Sequence, residues 1–183
     1  MDTSAQLSRR ISTERSRRGW SLQDLADRSD VSRGMLSKIE REEASPTASV
    51  LVRIAAAFDL TLAELLTEHG EHAGRLRRAA DQEVWVDPLT RYRRRQIYLS
   101  AHLPIELVEV ELPARAKVAM PASAYALIRQ VVWVIAGRLT IVEGVGRSTL
   151  DAGDSLEFGP PSDCVFENPG DQACRYLVAV VRR

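Results

Sequence analysis

Residues 21–40, SLQDLADRSDVSRGMLSKIE, leave this chain few folding choices. Leu22, Leu25 and Ala26 recur at helical spacing, as do Met35, Leu36 and Ile39, so each half buries one stripe and exposes the rest. Ser21 and Asp24 have the spacing of a capping box: the hydroxyl accepts an early backbone N–H, and the carboxylate sits near the positive end of the helix dipole. Ser32 can cap the second helix in the same way. Only Ser29, Asp30 and Val31 lie between, so the chain turns sharply at Asp30, a residue type that tolerates the left-handed conformation. Two short helices meeting closely at the small residue Ala26 are the expectation.

Small residue, turn residue, apolar residue, then Leu36 and Ile39 is the spacing of a helix-turn-helix; the plainer alternative is an ordinary helical hairpin. The second helix would present Arg33, Gly34, Ser37 and Lys38 on its outer face, where a major groove is read. The flanks fit. Leu7 and Ile11 make residues 6–19 an amphipathic helix ended by Gly19. Its arginines form a solvated face or, at Arg15, Arg17 and Arg18, contact phosphates. After the polar break at 41–47, Leu51, Ile54, Ala55 and Phe58 predict a fourth helix, and Leu62, Leu65 and Leu66 a short fifth. Ser45 and Thr47 stand where a helix N-terminus could hold a phosphate.

Charge is balanced overall but not locally. Residues 1–41 carry nine Lys/Arg against six Asp/Glu, and residues 42–70 one against five, so a DNA-binding surface here is basic only in patches. The polar N-terminus does not read as a signal peptide, and no apolar run approaches the roughly 18 residues of a membrane span. A cytoplasmic protein with no membrane partner is expected.

The texture changes near residue 70, which predicts an all-α DNA-binding domain over 1–68, a linker over 69–82 and an all-β domain over 83–183. The connection reads as a polar linker or as an extra helix carrying Arg75, Arg77 and Arg78; His69 and His72 lack a third ligand. Apolar runs at 105–112, 131–135, 139–142, 155–158, 164–167 and 176–181, separated by Gly- and Asp-rich turns, predict a barrel or jelly roll. Arg91, Arg93, Arg94 and Arg95 around Tyr92 read as an exposed turn, with a phosphate contact as the alternative. If Gln130 points inward, so do Val132 and Val134, yet Val131, Trp133 and Ile135 opposite are apolar too. That outer face is covered either by the protein's own second sheet or linker, or by a second copy; a homodimer is the expectation. Cys164 and Cys174 fall on neighbouring strands, as buried small apolar groups or as a redox pair.

With the run MLSKIER at 35–41 and Ser45-Pro46-Thr47, residues 6–68 resemble the XRE (phage repressor and Cro-like) helix-turn-helix family. The resemblance implies an operator in double-stranded DNA as partner. It places Gln23, Ser32, Arg33, Gly34, Ser37, Lys38, Arg41, Ser45 and Thr47 at the interface; Asp30 stands where that family often has Gly. The second half resembles a cupin. Counting its motifs from Gly137, Gly153 and Asn168 puts Ser123, Tyr125, Gln130 and Cys164 at the four metal-ligand positions. Metal-binding cupins need imidazoles and a carboxylate there. No metal, no cofactor and no enzymatic role are therefore expected. Ser123, Tyr125, Gln130 and Cys164, with Val132 and Phe166, then form either an effector pocket or a packed interior. The reading is a dimeric transcription regulator whose cupin domain senses a small metabolite. Its alternatives are a constitutive repressor with a purely dimerising barrel, and a cupin enzyme with a DNA-binding appendage.

Overall fold

The computed structural model describes residues 3–67, 76–100 and 102–182. Five helices come first: α1 (Thr3–Arg17), α2 (Leu22–Ser29), α3 (Arg33–Glu40), α4 (Ala48–Ala57) and α5 (Leu62–Leu66). Both expected caps form. The Ser21 hydroxyl accepts the Asp24 N–H while the Asp24 carboxylate accepts the Ser21 N–H, and the Ser32 hydroxyl accepts the Met35 N–H. Asp30 takes the left-handed conformation, φ 53° and ψ 33°, and Arg53 of α4 clamps it by donating to its carbonyl at 2.8 Å. Three helices end alike. Gly19, Glu42 and Asp59 each adopt positive φ, and paired bonds such as Trp20 N–H to Arg15 O with Gly19 N–H to Ser16 O make Schellman motifs.

Leu25, Leu36, Ile39, Leu51, Ile54 and Phe58 are fully buried in the helical core. Met35 is not: at 38% exposed it leaves the buried stripe that its spacing predicts and joins the outer face of α3. The arginines of α1 divide. Arg15 makes a two-pronged contact with Glu40, at 2.7 and 2.8 Å, and also donates to the Trp20 carbonyl. Arg18 contacts Glu14, donates to the Phe58 carbonyl at 2.7 Å and lies over the Phe58 ring. Both hold the helices together rather than waiting for phosphate; Arg17 is exposed.

Among the described residues ten antiparallel strands follow in two sheets. The larger has the order β1 (Val84–Val86), β2 (Arg93–Leu99), β3 (Ile105–Leu112), β10 (Cys174–Arg182), β5 (Ile128–Ala136), β8 (Ser155–Glu157); the smaller runs β4 (Lys117–Met120), β9 (Cys164–Glu167), β6 (Arg138–Glu143), β7 (Gly146–Asp151). Four of these strands, β1, β2, β4 and β7, are absent from the sequence reading, and Arg93, Arg94 and Arg95 lie in β2 rather than in a turn. Between the sheets, Tyr125, Phe158, Phe166 and Tyr176 form a row with ring centroids 5.7, 5.9 and 6.0 Å apart. His69, His72 and Arg75 lie outside the described residues.

The helices dock on the barrel through polar ties as well as apolar packing. Asp87, 2% exposed, accepts the Ala48 N–H at the start of α4 at 2.6 Å and the Leu89 and Thr90 N–H groups at 2.9 and 2.7 Å. Thr61 donates to Glu106 at 2.8 Å, and Arg182 donates to Glu64 at 2.7 Å. Glu64 is also the capping partner of Thr61 at the start of α5, so one short helix end is fixed from both domains.

Candidate functional site

The first candidate surface is the outer face of α3. Arg33, Gly34 and Lys38 are exposed, Ser37 is half-buried, and Ser32 is spent as the cap. Among the described residues Arg33 has no ion-pair partner. A Cβ built on Gly34 meets nothing within 4 Å, so packing within the chain does not require this glycine, which costs a helix about 1 kcal/mol relative to alanine. At the C-terminal end, Arg41 donates to Ser37 Oγ at 2.7 Å and grips Glu43 at 2.7 and 2.8 Å. The Glu43 carboxylate, by hydrogen bond and charge, holds the Arg41 guanidinium above its usual pKa. Gln23, exposed in the first turn of α2, donates to Asp27 at 2.7 Å.

A phosphate is expected at the start of α4, where part of the donor set is already engaged. The first amide of α4, Ala48 N–H, already donates to Asp87, and a buried carboxylate at that point repels a phosphate. Thr47 makes no side-chain cap bond and lies 3.2 Å from Ser49 Oγ, while Ser45 is exposed.

The second candidate is a cavity of about 80 Å³ at the mouth of the barrel. Ser123, Tyr125, Gln130 and Phe166 line it as expected. Val132 and Cys164 do not. Val132, opposite Val178 and Leu156, is packed deeper between the strands, and the Cys164 thiol turns to the Ser162 carbonyl at 3.4 Å. Gln130 and Tyr125 are each 8% exposed, yet Gln130 Nε2 has no hydrogen-bond partner and the Tyr125 hydroxyl has only the Cys164 sulfur, a weak acceptor, beside it. Burial raises the Tyr125 pKa far above its ordinary value, so its hydroxyl stays protonated; burial also pushes the Cys164 thiol up. Two neutral hydroxyls, an amide and a protonated thiol do not fit a divalent first-row metal, which takes imidazole, carboxylate or thiolate ligands. Among the described residues no three His, Cys, Asp or Glu side chains gather into a metal-holding group.

Sequence reasoning missed most of this cavity's lining, including its whole helical wall. Val52, Ala55, Thr61 and Leu62 come to it from α4, α5 and the turn between them, and Arg94 and Glu106 from β2 and β3. Glu106 was within reach: it shares strand parity with the inward-facing Val108, Val110 and Leu112, and it is 1% exposed. Burial pushes its carboxyl above the ordinary value despite the Thr61 hydroxyl, Arg94 and Arg182, which pull it down.

On the outside of the larger sheet, Val131 and Trp133 are exposed and Ile135 is half-buried. The Trp133 indole N–H donates to the Gly153 carbonyl at 3.1 Å, and the rest of the face stays open to solvent in part. Cross-strand pairing extends this face to β10, where Leu177 lies opposite Trp133 and Ala179 opposite Val131, and on to Ile105 and Leu107 of β3.

Known proteins carry the same architecture. The family model described as Helix-turn-helix matches residues 11–65. The HTH-type transcriptional regulator SutR of Escherichia coli K12 is 26% identical over 170 residues, spanning 93% of this chain and 91% of that one. The crystal structure of an HTH_3 family transcriptional regulator from Vibrio cholerae superposes with a TM-score of 0.83 at 18% identity, covering 100% and 99% of the two chains. Hydroxypropylphosphonic acid epoxidase from S. wedmorenis shares the fold more distantly, with a TM-score of 0.50 at 14% identity over 97% of each chain. Over residues 11–65 the chain matches the HTH_3 helix-turn-helix model, and over nearly its whole length, five helices followed by two packed cupin-like sheets, it is similar to HTH_3 (XRE) transcriptional regulators.

Proposed function

We propose that this protein is a sequence-specific DNA-binding transcription regulator that acts as a homodimer and responds to a small effector bound, without a metal, in the barrel cavity. The carrying observation is the outer face of α3: Arg33, Gly34 and Lys38 stand exposed there, while Arg15 and Arg18 on α1 are spent inside the protein. With a formal net charge of zero, discrimination rests on these few groove contacts rather than on bulk attraction to phosphate. SutR, which aligns over nearly the whole chain, is by name a transcriptional regulator. The two-fold partner is a second copy, seated on the apolar face around Trp133, because a helix-turn-helix of this kind reads half-sites about 34 Å apart with two copies. No described helix is long and apolar enough to cross a membrane, and we place the protein with its DNA in the cytoplasm.

The test is selection of genomic fragments by the purified full chain at stated salt, followed by footprinting. A two-fold protected site with half-sites one helical turn apart is expected, together with a dimer in sedimentation at micromolar concentration. Equal affinity for selected and random DNA overturns the regulator reading, and a monomer overturns the dimer. A second reading, a constitutive repressor with a purely dimerising barrel, draws on the aromatic row that fills much of the interior. An operator affinity that no effector changes would favour it.

A further inference from the structure

The cavity does not belong to the barrel alone. Tyr125, Gln130 and Phe166 make one wall, and Val52, Ala55 and Leu62 of the helical domain make the other. Within this largely apolar enclosure two polar atoms lack an oxygen partner: Gln130 Nε2, and the Tyr125 hydroxyl, which has only the weakly accepting Cys164 sulfur beside it. A buried polar group without a partner is costly, and a leucine and a phenylalanine at these positions would avoid that cost. Both atoms donate. An amide nitrogen has no lone pair to offer, and a protonated phenol in apolar surroundings gives its hydrogen most readily to an oxygen. Glu106, a buried acceptor that also lines the cavity, is engaged by Thr61 at 2.8 Å. What these donors lack is an accepting oxygen from outside. The space of about 80 Å³ holds roughly six water-sized groups, which suits a compact molecule and excludes a nucleotide or an oligosaccharide.

Building on the effector reading above, we propose that the cavity binds a small apolar molecule bearing one hydrogen-bond-accepting oxygen, a carbonyl or a carboxylate. The oxygen sits on Gln130 Nε2 and the Tyr125 O–H, and the apolar body lies against Val52, Ala55 and Leu62. The ligand therefore touches both domains at once. Its affinity depends on how α4 and α5 dock on the barrel, and by linkage that docking depends on the ligand. Because α4 also carries Arg53, which clamps the Asp30 turn ahead of α3, the ligand-bearing wall and the reading helix share one rigid element.

The experiment uses the full chain and a matched probe set: isobutyrate, isobutyramide and 3-methyl-2-butanone as oxygen acceptors, with isobutylamine as control. Binding is read by calorimetry and by thermal shift. At least one acceptor is expected to bind while the amine of similar shape does not. Carboxylate binding alone points to a charged oxygen helped by Arg94, and amide or ketone binding alone to a neutral one; either supports the class. Gln130→Met and Tyr125→Phe keep the volume and remove one donor each, and each should weaken binding by about tenfold. Val52→Trp fills the helical wall and should abolish it. The amine binding in place of acceptors, no probe binding at all, or unchanged affinity in both donor variants overturns the proposal. Unchanged affinity in Val52→Trp overturns the shared wall. Operator binding by the probe-free chain is measured alongside: if it is intact and no probe binds, this inference fails alone, and if it is absent while probes bind, the regulator reading fails alone.

Discussion

Arg33 on α3 and the Gln130 amide and Tyr125 hydroxyl in the cavity lack strong partners alike, and the solvent around them gives that fact opposite meanings. On α3, Arg33 is unpaired in water, where an unpaired charge costs nothing and remains available to a base edge. In the cavity, Gln130 and Tyr125 lack strong partners among apolar side chains, where the same lack is a standing penalty. Substitutions on α3 should therefore change recognition and leave stability alone. Substitutions where the helices meet the barrel should change stability first and recognition through it.

The largest effect is expected at Asp87. Its carboxylate accepts from the first amide of α4 and from two amides of its own turn, and it is buried where the helix dipole is positive. Asp87→Ala leaves these donors unsatisfied and should cost about 3 kcal/mol in urea unfolding, the range of hydrogen bonds to a charged group. Asp87→Asn, which keeps an acceptor, should recover part of it. A loss under about 0.5 kcal/mol, the size of an ordinary surface change, would show that the apolar packing alone fixes α4 on the barrel and would break the contrast.

Arg33→Ala comes next. If Arg33 reads a guanine, operator affinity falls by about 1 to 3 kcal/mol, the preference at one base pair relaxes, and the urea midpoint does not move. Arg15→Met sharpens the point from the other side. It should lower stability, by loss of the two-pronged Glu40 contact, and leave the sequence preference intact. Equal loss of affinity for operator and random DNA in Arg33→Ala would reassign that side chain to a phosphate.

What the sequence made legible follows from the range of the forces involved. Helix caps, the Asp30 turn and the Gly19 stop act within a few residues, and each is formed as the spacing predicts. Met35 was misplaced because eight residues of α3 give too few turns to tell the middle of an apolar stripe from its edge. The Schellman ends at Glu42 and Asp59 carry no glycine to announce them. Strand β2 hid behind its arginines: Arg95 pairs with Glu109 on the outer face, but Arg94 enters the cavity and breaks the polar-out alternation. The barrel's contribution to the cavity was readable from strand parity at Gln130. The helical wall was not, since it depends on how segments some fifty residues or more apart dock, and no local pattern encodes that.

The smallest predicted effect tests the junction most directly, at Glu106. Burial pushes this carboxyl above its ordinary value of 4.5; Thr61 and Arg94 pull it back, Glu64 opposes them, and Arg182 sits at ion-pair distance, 3.7 Å. A folded value above the unfolded one means that the folded state holds the proton more tightly. The corresponding stability is fully present below about pH 4.5 and is lost as pH rises through the folded value. Glu106→Gln removes this dependence. The variant should match the wild type in acid and exceed it near neutral pH by about 1 kcal/mol, as happens when a buried ion is replaced by a neutral group. The reverse order at neutral pH, with the variant weaker, would mean that pairing with Arg182 outweighs burial. The helical domain would then be held to the barrel by a net favourable ion pair, and the penalty assigned to poorly partnered polar groups at this junction would be confined to Gln130 and Tyr125.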